Sequence, residues 1–203
     1  MSDAMTLEGA VVLVVGADRA IGRGLATAAA AGGARLALVG QRESVLEEVA
    51  AAISSATGRD PLVQAGRTVD ETVAQGVFKR IQHEYGRLDA LVCDTALARD
   101  GGVERMPVTE LRRHLDLAVV APYIWMQKAI AAMQRQRPVQ GRIVHVGSVR
   151  GRWVACGGWG GDVAAYAALR GMCESITRQL HDQRLPITVS LVLPGHGEPG
   201  DDF

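Results

Sequence analysis

Gly9-Ala-Val-Val-Leu-Val-Val-Gly-Ala-Asp-Arg-Ala-Ile-Gly-Arg-Gly24 decides how this chain is read. Residues 10–15 form a short apolar run, mostly β-branched, which favours a strand. Gly16 permits a sharp turn. Ala20 to Ala31 is rich in alanine and free of proline, which favours a helix. A glycine-bearing turn between strand and helix offers unpaired N–H groups and the positive end of a helix dipole, a setting that suits a phosphate. Gly22, on the first helical turn, lets a pyrophosphate or a neighbouring strand come close. Such a turn also occurs without any ligand, so the rest of the chain has to decide.

Outward from this stretch, apolar strand-like runs alternate with longer helical ones. Ala34–Val39 is a second strand and Ser44–Thr57 an amphipathic helix. Pro61–Ala65, Leu88–Cys93, Gly141–Gly147 and Pro186–Leu193 are further strands. Asp70–Tyr85 is a helix capped by Asp70 and ended by Gly86. Thr109–Arg137 is helical, with Pro122 marking a kink or boundary near Ala121. Asp162–Arg184 is the last helix. Six strands with helices between them predict a parallel sheet covered on both faces. Right-handed crossovers make it an α/β doubly wound, Rossmann-type sheet in the order 3-2-1-4-5-6. Ligands in such folds sit beyond the carboxyl ends of the strands. Gly16, Arg42, Asp94, Ser148 and Pro194 all fall there.

Length and composition narrow the function classes. The 203 residues suit a single domain, with residues 196–203 expected as a loose tail. Lys+Arg (22) equals Asp+Glu (22), so no charge excess points to nucleic acid or an anionic membrane. Nearly all the cations are arginines; Lys79 and Lys128 are the only lysines. Cys93, Cys156 and Cys173 are far apart and match neither a zinc site nor a disulfide framework, so no metal is expected. The amino-terminal residues lack the basic region of a signal peptide, and the first apolar run is too short to span a membrane. A soluble, cytoplasmic protein acting on a small molecule is expected.

Ser148 closes the fifth strand, while Tyr166 and Arg170 lie four apart on the next helix and share a face. A cation near a phenol favours the phenolate and prepares it for acid–base work. A serine hydroxyl can hold a substrate oxygen. Each also has a plain structural reading: an interfacial tyrosine, a solvated arginine, a strand-end cap.

These residues stand in motifs that resemble the short-chain dehydrogenase/reductase family over nearly the whole chain. Val15-Gly-Ala-Asp-Arg-Ala-Ile-Gly22 resembles its Thr-Gly-x-x-x-Gly-x-Gly cofactor turn. Gly86–Val92 resembles the approach to its Asn-Asn-Ala-Gly motif, and Gly141–Ser148 the strand bearing its serine. Tyr166-Ala-Ala-Leu-Arg170 resembles Tyr-x-x-x-Lys, and Pro194-Gly195 the motif after strand six. The resemblance implies a nicotinamide cofactor and hydride transfer to or from a carbonyl or alcohol carbon. It implies catalytic roles for Ser148, Tyr166 and Arg170. It implies cofactor contacts for Gly16, Arg19, Ile21, Gly22, Arg42, Pro194 and Gly195. The second strand ends in Gly40-Gln41-Arg42, with no acid for ribose hydroxyls and an arginine in reach, which favours NADP if a nucleotide binds.

The departures cluster in the cleft. Ala20 and Val15 replace a glycine and a threonine of the turn. Asp18 stands where it can cap the helix or repel a pyrophosphate. Gly66 replaces an aspartate, Cys93-Asp94-Thr95-Ala96 replaces Asn-Asn-Ala-Gly, and Ala118 aligns with the catalytic asparagine. Arg170 replaces the lysine and does not release a proton near neutral pH. Two other readings therefore stand beside the oxidoreductase. One is a redox-silent enzyme of halohydrin-dehalogenase type, which uses Ser, Tyr and Arg; the small residues of the turn argue against its halide pocket. The other is a non-catalytic family member acting as an oligomeric partner. Helices 109–137 and 162–184 resemble those that pair across a two-fold in the family, so a homodimer or tetramer is expected.

Overall fold

The computed structural model describes residues 7–95, 102–149 and 159–194. Six strands form one parallel sheet in the order β3-β2-β1-β4-β5-β6. These are β1 (Val11–Val15), β2 (Arg35–Gly40), β3 (Leu62–Ala65), β4 (Ala90–Cys93), β5 (Gly141–Val146) and β6 (Ile187–Val192). The helices are α1 (Ala20–Ala31), α2 (Glu43–Thr57), α3 (Glu71–Tyr85), α4 (Val108–Leu115), α5 (Ala121–Arg135) and α6 (Gly160–Asp182). The strand order is the one the alternating pattern predicts. β1 lies at the centre, in register from Val11 opposite Arg35 to Val15 opposite Val39 on one side. On the other side Val15 meets Cys93.

Every side chain of β1 is buried, because both faces of the sheet are covered. Val11, Leu13 and Val15 join α3, α5 and α6 through Val77, Ile81, Trp125, Met133 and Leu180. Val12 and Val14 point the other way, onto Ala26, Ala29, Leu46, Val49 and Ile53 of α1 and α2. The alanines of α1 let that helix lie close on the sheet. Trp125 is fully buried and donates its indole N–H to the Thr68 carbonyl at 2.7 Å. Its loss to alanine is worth about 3–5 kcal/mol. His145 of β5 is also fully buried, and burial lowers its pKa to about 4.

The helical stretch expected over 109–137 is interrupted. Between α4 and α5 lies a single π-helical turn, Asp116–Val120. Pro122, in the first turn of α5, supplies the physical reason. It has no N–H to return to the carbonyl four residues back, that of Ala118, and its ring crowds that carbonyl. The wider turn absorbs the misfit. Asp70 caps α3 as expected, accepting the Thr72 N–H at 2.8 Å. The expected loose tail, residues 196–203, lies outside the described residues.

Candidate active site

The turn after β1 is shaped by the protein's own backbone. Gly16 has φ +89°, and a Cβ there would lie 1.8 Å from the Asp94 carbonyl oxygen. A Cβ on Gly22 would lie 2.1 Å from the Gly16 carbonyl oxygen. Both glycines are therefore required by close approach of β4 and α1 to the turn. The N–H groups of Gly16 and Ala17 bond to the Val39 carbonyl at 2.8 and 3.0 Å. These contacts place the amino end of α1 beyond the carboxyl end of the sheet.

Asp18 does not cap α1. The residue preceding α1 is Arg19, and its side chain makes no capping bond. The Asp18 carboxylate instead turns towards the end of β2. It accepts the backbone N–H groups of Gln41 and Arg42 at 3.2 and 3.1 Å, and lies 3.4 Å from the Arg42 Nε. The Arg42 Nη2 donates to the Asp18 carbonyl. Gly40 makes room for this carboxylate, since a Cβ there would fall 2.2 Å from its Oδ1. The absence of an acid at the end of β2 is thus met by an acid delivered from the neighbouring turn.

Asp94 lies beneath the α1 amino end. Its Oδ2 accepts the Gly22 N–H at 3.0 Å, and its Oδ1 is 3.6 Å from Arg19 Nε. Burial pushes the Asp94 carboxyl upward, while Arg19 and the Gly22 N–H pull it down. The Arg19 Nε is itself buried without an aligned hydrogen-bond partner among the described residues. A cleft of about 690 Å³ opens in front of these groups. Its lining includes Gly16, Asp18, Arg19, Arg42, Asp94 and Thr95. It also brings in Arg23 and Arg113, which sequence reasoning missed because their spacing matches no motif.

The fit to a dinucleotide follows from these contacts. Arg19, the residue before α1, makes no side-chain cap, Asp94 takes the Gly22 N–H, and the glycine turn has the shape that lets a phosphate come near the remaining first-turn residues. Arg19 lines the same cleft, with its buried Nε beside the Asp94 carboxylate. Gly16 and Gly22 thus shape the approach for a pyrophosphate, and Arg19 and Ile21 stand at the amino end of α1 that it would reach. Asp94 and Asp18 subtract from the positive field, and Asp18 partly neutralises Arg42.

The expected catalytic residues stand at the end of β5 and along α6. Ser148 follows β5 and is half-buried. Gly147 before it is tied to Val192, and Val149 after it to Pro194, by N–H···O bonds of 2.8 and 3.4 Å. Tyr166, on the second turn of α6, is buried in a cluster with Ala118, Ala165, Leu169 and Cys173. Ala118 thus packs where a longer polar side chain would meet the same cluster. Arg170 is exposed, and its Nη1 is 3.7 Å from Glu174 Oε1. It lines a separate groove with Cys173, Glu174 and residues of β6, away from the α1 cleft. Gly195 lies outside the described residues. Among those residues, no group of acidic, cysteine or histidine side chains is arranged for a metal. No described helix is long and apolar enough to cross a membrane.

Comparison with known proteins matches this architecture. The family model for short chain dehydrogenase covers residues 10–199. The chain is 32% identical over 191 residues to the 3-oxoacyl-[acyl-carrier-protein] reductase FabG of Escherichia coli K12, covering 94% of this chain and 75% of that one. It is also 32% identical over 188 residues to FabG of Staphylococcus aureus Mu50, covering 90% and 72%. A short-chain type dehydrogenase/reductase from Mycobacterium marinum superposes with a TM-score of 0.88 at 25% identity, over 97% of this chain and 79% of that one. A short chain dehydrogenase from Shigella flexneri 2a str. 301, solved in complex with NADP, superposes with a TM-score of 0.84 at 25% identity, over 93% and 77%. With the sheet order, the glycine turn and the matched residues in agreement, the chain belongs to the short-chain dehydrogenase/reductase family of oxidoreductases.

Proposed function

We propose that the protein transfers a hydride between NADP(H) and the carbonyl or alcohol carbon of a small molecule. The observation that carries this reading is the glycine-shaped turn before α1, which stands at an open cleft rimmed by Arg19 and Arg42. The NADP bound to the Shigella relative supports the choice of nucleotide. The names of the reductases from E. coli and S. aureus make a 3-oxoacyl thioester the first substrate class to try.

The cofactor, when bound, supplies or accepts the hydride. Gly16, Arg19, Ile21 and Gly22 would hold its pyrophosphate, Arg42 would favour a 2′-phosphate, and the family motif makes Pro194 and Gly195 further cofactor contacts. Ser148 donates a hydrogen bond to the substrate oxygen. Tyr166 gives that oxygen a proton on reduction and removes it on oxidation. Arg170 contributes positive charge and never exchanges a proton near neutral pH.

A homodimer or tetramer formed through α4, α5 and α6 accompanies this reading. It is supported by the exposed Val120 and Tyr123, and by the small exposed residues Ala164, Ala168 and Gly171 on α6. The competing non-catalytic reading draws on Arg170, whose guanidinium meets Glu174 in a separate groove. Titration with NADPH, followed by quenching of tryptophan fluorescence, separates the two. Saturable quenching and NADPH oxidation with acetoacetyl-coenzyme A are expected. No quenching at millimolar NADPH would overturn the oxidoreductase reading.

A further inference from the structure

One buried polar pair has no part in the fold's sheet or in the cofactor cleft. His114 of α4 and Asp162 of α6 are 2% and 1% exposed, and His114 Nδ1 stands 2.8 Å from Asp162 Oδ1. The contact is close, though its geometry falls short of an aligned N–H···O bond. The other imidazole nitrogen, Nε2, is also buried and meets no hydrogen-bond partner among the described residues. Two polar side chains held this deep are costly to desolvate, and such pairs are better known for fixing a unique arrangement than for adding stability.

Their position gives the pair a role. His114 and Ala118 are four residues apart and follow one face of the α4 segment into the π-helical turn. Asp162 and Tyr166 are four apart on α6, and residues so spaced lie one above the other. Ala118 and Tyr166 already share a buried cluster. The two helical segments therefore meet at two successive rungs, one apolar and one polar. The crossing has no slack beside the polar rung. A Cβ on Gly161 would lie 2.8 Å from the Met106 Sδ and 3.5 Å from the Leu111 Cδ1. Apolar packing alone allows α6 to slide or rotate by small amounts. A close, buried contact between one nitrogen and one oxygen adds a polar constraint at a single point of the crossing.

We propose that His114 and Asp162 are the positioning pair for Tyr166. They lock the first turns of α6 against α4 and so fix where the phenol stands. The role rests on the proposed function, in which Tyr166 handles the substrate proton. It takes on added weight here because Ala118 offers the tyrosine no polar support.

The test uses the full chain with 3-fluorotyrosine incorporated, and fluorine NMR as a readout that needs no turnover. Tyr85, Tyr123 and Tyr166 give three resonances, and Tyr166→Phe assigns the one of interest. His114→Phe should shift or broaden the Tyr166 resonance and leave the other two in place. His114→Asn, whose amide nitrogen sits near the position of Nδ1, should restore it. With acetoacetyl-coenzyme A and NADPH, His114→Phe should lower kcat by about tenfold or more at little-changed KM, and His114→Asn should recover most of that loss. Asp162→Asn, nearly isosteric, serves where His114→Phe does not fold, and should move the same resonance. An unmoved Tyr166 resonance in the folded variants would overturn the inference, as would a His114→Asn variant as impaired as His114→Phe. An inactive wild type refutes the proposed function instead, and leaves the NMR result to decide the positioning role.

Discussion

Replacing Asp18 by alanine tests the least expected contact in the cleft. The carboxylate is 8% exposed and receives the Gln41 and Arg42 N–H groups at 3.2 and 3.1 Å. Hydrogen bonds to a charged group contribute about 1.5–3 kcal/mol each. Water replaces part of that here, because the β2–α2 turn is only partly buried. The net loss of stability should be about 1–3 kcal/mol, a fall in Tm of about 2–10 °C for a chain of this size. The ion pair with Arg42 adds little to stability, because the guanidinium is 62% exposed and screened by water. Its consequence for binding has the opposite sign. The variant removes one negative charge from the cleft and releases Arg42 from its partner. At about 1 kcal/mol each in a water-facing site, the two effects together favour a 2′-phosphate by about 2 kcal/mol. That corresponds to roughly a thirtyfold gain in the preference for NADPH over NADH. Fluorescence titrations of wild type and Asp18→Ala with both nucleotides measure it. A ratio unchanged within about threefold, in a variant that folds, would refute the reasoning that Asp18 restrains Arg42.

Three further outcomes follow from the same structure. Gly16→Ala should cost about 2–5 kcal/mol, from a left-handed backbone and an overpacked contact, because its Cβ would lie 1.8 Å from the Asp94 carbonyl oxygen; a thermal melt like that of wild type would contradict this. Tyr166→Phe should lower NADPH oxidation by about a hundredfold or more and leave NADPH affinity unchanged, and retained turnover would remove the tyrosine from the chemistry. His145 is held neutral by burial, with its pKa lowered from 6.5 to about 4. The unfolded chain therefore takes up the proton first, and stability should fall as pH drops from about 6.5 towards 4. The loss between pH 7 and pH 4.5 should be about 2 kcal/mol, and His145→Leu should abolish that component. Urea unfolding at the two pH values measures it, and equal pH dependence in both proteins would count against the assignment.

The alternation of short β-branched runs with alanine-rich or amphipathic ones was enough to order six strands. Periodicity and glycine placement are local signals, and a parallel sheet with right-handed crossovers leaves few ways to arrange them. The glycine turn was legible for the same reason. The partners of Asp18 were not, because helix capping and contact with the end of β2 need the same residue at the same position. Only the space left by Gly40 chooses between them. His114 and Asp162 were invisible for a different reason. They are 48 residues apart, one an ordinary histidine on a polar helix and the other an acid at a helix start, and only the crossing of α4 and α6 brings them together. Arg23 and Arg113 reach the cleft through the same tertiary geometry. Arg170 shows the converse: four-residue spacing put it on the face of Tyr166, yet its long side chain extends to Glu174.

The π-helical turn at Asp116–Val120 also sets a phase. Each residue advances a helix by about 100°, so the one extra residue in that turn rotates everything after it by that amount relative to an uninterrupted helix. α4 presents His114 to α6, and α5 presents Trp125 and Met133 to the sheet, only because the two are out of step. Deleting a single residue there would bring them back into step and swing one of those faces into solvent. Point substitutions within the turn should be tolerated far better than any change in its length.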